Sequence, residues 1–448
     1  MGDKINILFV AFEFPPLGGA GVQRSLNFVK YLPGNQICPI IITVKEGDYK
    51  HVMASHPMDE SLCKEIPAGT IIKRIHCPGL APAKNKFHEW ARIYFTVTGD
   101  FKDLWKEELN KALPAIIDEY KPRAIYVSLP PFIMARLWMR YIKQFKLPLI
   151  IDFRDAWSQW CISANATYFH YLLKLGFEKK VLDCAAKVIC SSKQIMEDLM
   201  QVHSAVPAHK FSVIHNGYDT ALQISNQLRI EKSDKVIIGY VGAFYYTPKA
   251  REEIFKPWWK KPLHRMLNYV PRKEDWLYRS PYFFFKAIKE IISNNPSLAD
   301  KIEIRFAGDN PNWLTAQIKE FGLQQICSHA GYLSHEAVIS FQQECDALLI
   351  TSSKVINGRD YSIAGKSYEY FSMGKPIVAF VCDGAQKDIL HATGMALVCD
   401  PDDTKMSAVA LSQLFLGEMT LYPNIAEIKK YHRKALTKLL ADAVGEVV

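Results

Sequence analysis

Nowhere in this 448-residue chain is there an uninterrupted apolar run of the roughly 20 residues that a membrane span requires. Met1-Gly2-Asp3-Lys4 leads straight into a strand-like segment without a signal-peptide pattern, so a cytoplasmic protein is expected. The ten cysteines contain no C-x-x-C pair and keep no repeating interval, which argues against a zinc ribbon or a disulfide framework. They read as reduced core thiols, Cys190 in Val-Ile-Cys and Cys399 in Leu-Val-Cys being examples. The thirteen histidines show no H-x3-H spacing. Internal repeats and low-complexity segments are also missing. Charge of one sign is scarce: 55 Lys and Arg against 46 Asp and Glu leave a net +9, too mild for a dedicated nucleic-acid binder. An anionic small molecule or a membrane surface suits that balance better.

What is present is a two-fold alternation of strands and helices. The first half carries β-branched runs at 5–12, 37–44, 124–128, 147–153, 187–191 and 211–215. Helical patterns at 21–32, 102–119, 132–145, 168–184 and 193–200 lie between them. A second alternation has strands at 236–241, 302–307, 347–351, 376–380 and 396–399. Continuous apolar strands separated by helices imply parallel sheets covered on both faces. The expected fold is therefore α/β, with two doubly wound Rossmann-like domains facing a central cleft. Boundaries fall at 1–220 and 236–424, with a polar linker at 221–235. A last helix, 425–448, is expected to pack back on the first domain. Within the second domain, 245–280 has no clear period and holds nine Lys or Arg against four acids, with eight aromatics. An aperiodic stretch of this length inside a domain is usually functional.

Two segments carry recognisable chemistry. After the first strand comes Glu13-Phe14-Pro15-Pro16-Leu17-Gly18-Gly19-Ala20-Gly21, then a helix. Glycines let backbone amides approach a phosphate, and a helix N-terminus favours negative charge. No G-K-[ST] follows, and Arg24 stands where a G-x-G-x-x-G fingerprint needs its third glycine. In the second half, Lys366 and Glu369 lie three apart near a helix start, on one face. The lysine can pair with phosphate and the carboxylate can accept two ribose hydroxyls, although a solvated ion pair has the same spacing. Asp400-Pro401-Asp402 has the form of a metal-binding D-x-D but sits in an acidic turn before a helix, so no metal is expected. His215-Asn216-Gly217 reads as a turn closing the first domain.

Taken in order, Ile7-Leu8-Phe9-Val10…Pro15-Pro16-Leu17-Gly18-Gly19, His215-Asn216-Gly217-Tyr218-Asp219, Gly239-Tyr240-Val241-Gly242, Phe306-Ala307-Gly308-Asp309 and Gly365-Lys366-Ser367-Tyr368-Glu369-Tyr370…Gly374-Lys375-Pro376 resemble the motifs of family 4 of the retaining GT-B glycosyltransferases. Asp152-Phe153-Arg154-Asp155-Ala156-Trp157 is similar to the D-F-R-D-x-W branch tied to cell-surface polysaccharide assembly. The resemblance implies a nucleotide-diphosphate sugar as donor and a glycan or lipid-linked acceptor, with no metal or other cofactor. It implies that Gly18 and Gly19 offer amides to the donor diphosphate, that Arg279 and Lys366 clamp it, and that Glu369 holds the ribose. Asn216, Gly242, Ser362 and Gly365 complete the implied donor site. Tyr361 stands where the family places a first glutamate, with Asp360 one residue away. On the acceptor side the family histidine gives way to Asp152, Arg154 and Asp155, of which Asp155 is expected to orient the acceptor. The 245–280 insertion is expected to meet an anionic membrane at its inner face. Two other classes compete: a catalytically inactive GT-B binding module, and an NAD-dependent oxidoreductase with Glu46 as its ribose carboxylate.

Overall fold

A computed structural model describes residues 4–54, 56–79, 85, 105–159, 164–231 and 234–448. The chain forms two compact units. One comprises Met1–Asn216, Leu267–Pro271 and Arg433–Val448; the other comprises Gly217–Met266 and Arg272–His432.

The first unit is built on β1 (Ile5–Val10), β2 (Ile37–Val44), β3 (Ile71–Ile75), β4 (Ala124–Leu129), β5 (Leu149–Phe153), β6 (Lys187–Cys190) and β7 (Phe211–Val213). Their order is β3-β2-β1-β4-β5-β6-β7 and every pairing is parallel. The β-branched strands are buried because helices cover both faces, as continuous apolar runs require. Chain order reverses between β1 and β4, and doubly wound sheets bind ligands beyond the strand ends at such a switch point. Strand β3 is absent from the sequence pattern because Lys73 and Arg74 interrupt its apolar run; they pair with Glu119 and Glu46. The helix expected from 102 begins at Lys106 in the structure, and 102–104 lie outside the described residues, as does Cys161.

The second unit repeats the plan. Its strands are β8 (Val236–Val241), β9 (Glu274–Asp275), β10 (Ile302–Ala307), β11 (Cys327–His329), β12 (Ala347–Thr351), β13 (Lys354–Val355), β14 (Ile377–Phe380) and β15 (Ala396–Cys399). Six of them form a parallel sheet ordered β11-β10-β8-β12-β14-β15, with its switch point between β8 and β12. Along β12, Leu349 joins one buried cluster with Ile238 and Phe285, while Leu348 and Ile350 join another with Phe371 and Leu390. Alternate residues thus fill opposite faces.

Three boundaries differ from expectation. The polar stretch 221–235 is no free linker but lies against the second unit: Gln223 donates its amide to Ser372 O at 3.1 Å, and Leu228 exchanges two 2.9 Å bonds with Leu421. The final helix is two. Ile425–Lys429 stays with the second unit, and Arg433–Gly445 belongs to the first, where Leu436, Leu440 and Val444 pack with Phe28, Val29 and Leu32. The insertion is neither irregular throughout, since it contains a helix at Pro248–Phe255 and the ribbon of β9 against β13, nor wholly part of the second unit, since Leu267–Pro271 belongs to the first.

This packing predicts a position-specific cost. Leu440→Ala removes a fully buried side chain and is expected to cost about 2–5 kcal/mol of stability. Leu439→Ala, at a position 48% exposed, is expected to change it by less than about 0.5 kcal/mol. Chemical denaturation of both variants measures the contrast.

Candidate functional site

In the first unit the loop after β1 uses each glycine for a different reason. Gly18 donates its amide to Pro57 O at 2.8 Å, so that N–H is already committed. Gly19 sits at φ +112°, a backbone that side chains rarely adopt, and precedes the helix Ala20–Tyr31. A Cβ on Gly21 would lie 1.8 Å from Arg154 Nη1 and 2.1 Å from Glu13 Oε2. The third glycine thus makes room for an ion pair, Arg154 to Glu13 at 3.0 Å, rather than for a phosphate. Of the two amides expected to face a diphosphate, Gly19's has no acceptor among the described residues.

The Asp152-Phe153-Arg154-Asp155 run divides by depth. Asp152 is fully buried and takes hydrogen bonds from Arg24 Nε and Nη2 at 2.7 and 2.8 Å and from Tyr126 Oη at 2.5 Å. Arg24 Nη1 also donates to His215 O at 3.0 Å and Asn216 Oδ1 at 3.1 Å. Arg154 spends its other donors on Leu129 O and Pro130 O at 3.0 and 2.6 Å. Asp152, Arg154 and Asn216, all expected at substrate, are thus held by hydrogen bonds within this unit. Asp155 is half-buried and close enough to support the Arg154 charge. Arg24, which reads in sequence only as a spoiled fingerprint, is the centre of this network.

In the second unit the expected donor residues gather at the carboxyl ends of β8 and β12, neighbours at the switch point. Lys366 Nζ donates to Val241 O at 2.7 Å and lies 3.7 Å from the centroid of the Tyr240 ring. Burial pulls its pKa down to about 7, only partly offset by Glu369 one helical turn on. Gly242, at φ +103°, gives the ammonium room, since a Cβ there would sit 3.3 Å from Nζ. Glu369 and Gly365 are exposed on the helix Gly365–Met373.

Arg279 is anchored through its backbone, whose carbonyl accepts from Thr351 Oγ1 at 2.7 Å at the end of β12. Its Nη2 donates to Glu274 Oε1 at 2.6 Å and approaches Ser353 Oγ and Ser362 Oγ at 3.4 and 3.5 Å. Glu274 is a site residue that the sequence pattern does not reveal; the only signal is an acid five residues before Arg279 in a basic insertion. Ser362 donates both its amide and hydroxyl to Asp360 Oδ1, at 2.9 and 2.7 Å, and Ser353 donates to Asp360 Oδ2 at 3.0 Å. Burial pushes the Asp360 pKa up, opposed by Arg279. Tyr361 is also buried. Asp400 and Asp402 do not converge: Asp402 takes hydrogen bonds from Tyr278 Oη and Lys354 Nζ, both at 2.5 Å, while Asp400 caps its own turn. No His, Cys, Asp and Glu cluster among the described residues could hold a metal ion.

A family model described as Glycosyltransferase Family 4 matches residues 75–222, and one described as Glycosyl transferases group 1 matches 275–416. No curated protein matches. Among solved structures, the lipopolysaccharide outer core galactosyltransferase WaaB is 14% identical with a TM-score of 0.57, covering 99% of this chain and 100% of that one. HepE of Anabaena in complex with UDP is 13% identical with a TM-score of 0.58 over 99% and 100% of the two chains. Sucrose-phosphate synthase of Thermosynechococcus elongatus gives 13%, 0.54, 99% and 94%. At these identities the structures establish a shared fold, two Rossmann-like units of GT-B type.

The burial of Asp152 predicts a structural phenotype. Asp152→Ala strands Arg24 in the interior and is expected to cost about 3–5 kcal/mol. Asp155→Ala is expected to leave the denaturation midpoint close to wild type. Equilibrium unfolding of the two variants tests the division.

Proposed function

The chain is a glycosyltransferase of the GT-B class, and from that premise we propose a retaining enzyme that moves a sugar from a nucleotide-diphosphate donor to a glycan or lipid-linked acceptor in cell-surface polysaccharide assembly. The observation that carries the donor half is the pairing of Lys366 and Arg279 at the ends of adjacent strands. Each cation is half-buried and held by protein acceptors before any ligand arrives. A diphosphate supplies the negative charge that Lys366 lacks and can accept the donors that Arg279 does not spend on Glu274. UDP bound to HepE, and UDP-glucose in a second HepE complex, make a nucleoside diphosphate a reasonable donor group.

In the proposed reaction the bond between the sugar anomeric carbon and the diphosphate oxygen breaks, leaving its electron pair on oxygen. The acceptor hydroxyl forms the new bond on the same face and passes its proton to the departing phosphate oxygen. Arg279 and Lys366 stabilise the charge that builds on the diphosphate, preorganised donors of the oxyanion-hole kind. Glu369 accepts the ribose hydroxyls, and Asp155 orients the acceptor. No metal is assigned a part, since cationic side chains do its work. A lipid-linked acceptor would bring the enzyme to the inner face of the membrane.

Turnover of a panel of nucleotide sugars tests the reading, run with and without EDTA. Arg279→Ala and Lys366→Ala are each expected to lower kcat/KM by roughly 10²–10³. Wild-type turnover in both, or no turnover of any donor by the wild type, overturns it.

Lys366 also sets a pH dependence. Its folded pKa, about 7, lies below the ordinary lysine value, so the free enzyme holds the ammonium only below that pH. A diphosphate diester does not titrate in this range, and it binds the ammonium form. Donor kcat/KM, which reports the free enzyme, is expected to fall as pH rises through about 7. Donor binding above pH 7 should take up a proton, measurable by calorimetry in buffers of different ionisation enthalpy. Lys366→Met is expected to abolish both effects.

A further inference from the structure

The insertion separates into a packed part and an exposed part. Tyr246 is buried against Trp313, with ring centroids 4.9 Å apart, and Glu274 and Asp275 are buried at β9. Between them, 257–265 turns apolar side chains outward. Trp258 and Trp259 are 60% and 63% exposed, and Leu263 is 86% exposed. The two indoles meet edge to face, centroids 5.9 Å apart. They stand on short 3-10 turns, Trp258–Lys260 and Leu263–Arg265, each entered through a proline, Pro257 or Pro262. Proline fixes its own φ, so these turns present their side chains from a stiff backbone. Two adjacent exposed tryptophans and a leucine within six residues of chain are a costly surface to leave in water.

The charge around them selects the occupant. Lys260 and Lys261 form no ion pair with any described residue, and Arg265 reaches only Glu253, at 3.8 Å. A symmetric contact with a second copy would set these cations face to face. An acyl boundary beneath anionic headgroups accepts both features at once: indoles favour that boundary, and lysines favour the headgroups.

We propose that 257–265 is a membrane-docking platform, with Trp258, Trp259 and Leu263 entering the headgroup boundary and Lys260, Lys261 and Arg265 meeting anionic lipid. The biological purpose of this platform, bringing the enzyme to a lipid-linked acceptor, rests on the function proposed above, whereas its affinity for lipid does not. It requires no span, consistent with the absence of any described helix long and apolar enough to cross a membrane.

Co-sedimentation of the full chain with vesicles is the test. Wild type is expected to pellet with phosphatidylcholine–phosphatidylglycerol vesicles at low salt, to remain in solution with phosphatidylcholine alone, and to be released by salt. Losing a basic residue is expected to weaken partitioning roughly fivefold, so Lys260→Gln/Lys261→Gln should lose about 25-fold. Trp258→Ser/Trp259→Ser should lose binding while keeping its thermal midpoint and its turnover of a soluble acceptor. Bromine-labelled acyl chains should quench fluorescence in wild type and much less in that variant. Failure of wild type to bind anionic vesicles, or equal binding by the tryptophan variant, overturns the proposal. So does concentration-dependent dimerisation that the tryptophan variant abolishes, since the surface would then belong to a second copy. Vesicle binding without turnover of any donor would overturn the assigned reaction and leave the platform standing.

Discussion

Arg24 and Asp152 are buried charges, and a buried charge must be met within hydrogen-bond distance or be expelled. That constraint shapes the first unit. Asp152 lies on β5, Tyr126 on β4, Arg24 on the helix after the glycine loop, and His215 and Asn216 just past β7. One carboxylate thus fixes the helix and the strand ends relative to one another. The exposed face of the loop can then be small and glycine-rich because its rigidity comes from below. The Glu13–Arg154 pair acts similarly one layer up, packed so closely on Gly21 that no side chain fits between.

The second unit meets the same constraint incompletely. Lys366 has a backbone carbonyl and an aromatic face but no carboxylate in direct contact, which is why burial lowers its pKa so far. Arg279 has Glu274 on one nitrogen, while its buried Nε has no partner among the described residues. A framework ion pair satisfies its donors, as Arg24 does. Donors held in place yet left wanting are the pattern of a site that a ligand completes. The two units therefore use buried cations for opposite ends: stiffness in one, readiness in the other.

This contrast also explains what the sequence could reveal. The alternation of strands and helices follows from apolar runs, a local signal, and Lys366 stands out by its spacing from Glu369, whereas Arg279 is marked only by the resemblance to family motifs. The fate of Asp152 does not, because every residue of β5 is buried and no alternation marks which side a charge faces. Its partner lies 128 residues away in sequence. Arg24 was visible only as a missing glycine, and Glu274 only as one acid among many bases. Strand β3 was hidden because Lys73 and Arg74 find carboxylates at its edge, so its composition looks like a loop. The helix break at Lys430–His432 was hidden as well, since the amphipathic pattern continues through it while the chain passes from one unit to the other.

The insertion shows how one segment can serve two demands. Arg251, on the helix Pro248–Phe255, makes a two-pronged pair with Asp275 at 2.6 and 2.8 Å. Asp275 also accepts from the Leu277 amide at 3.0 Å, and its neighbour Glu274 grips Arg279. The helix that leads to the tryptophan platform is thereby fastened to the strand that positions the proposed diphosphate clamp. Such fastening differs from coupling, which would need an element with two stable arrangements. What it supplies is registration: a bidentate guanidinium–carboxylate pair has a fixed geometry, so the helix keeps one orientation on β9. An insertion serving only the donor site could have ended at that pair and kept its surface polar. The extra turns beyond it carry prolines, exposed indoles and lysines, the features on which the proposed membrane docking rests.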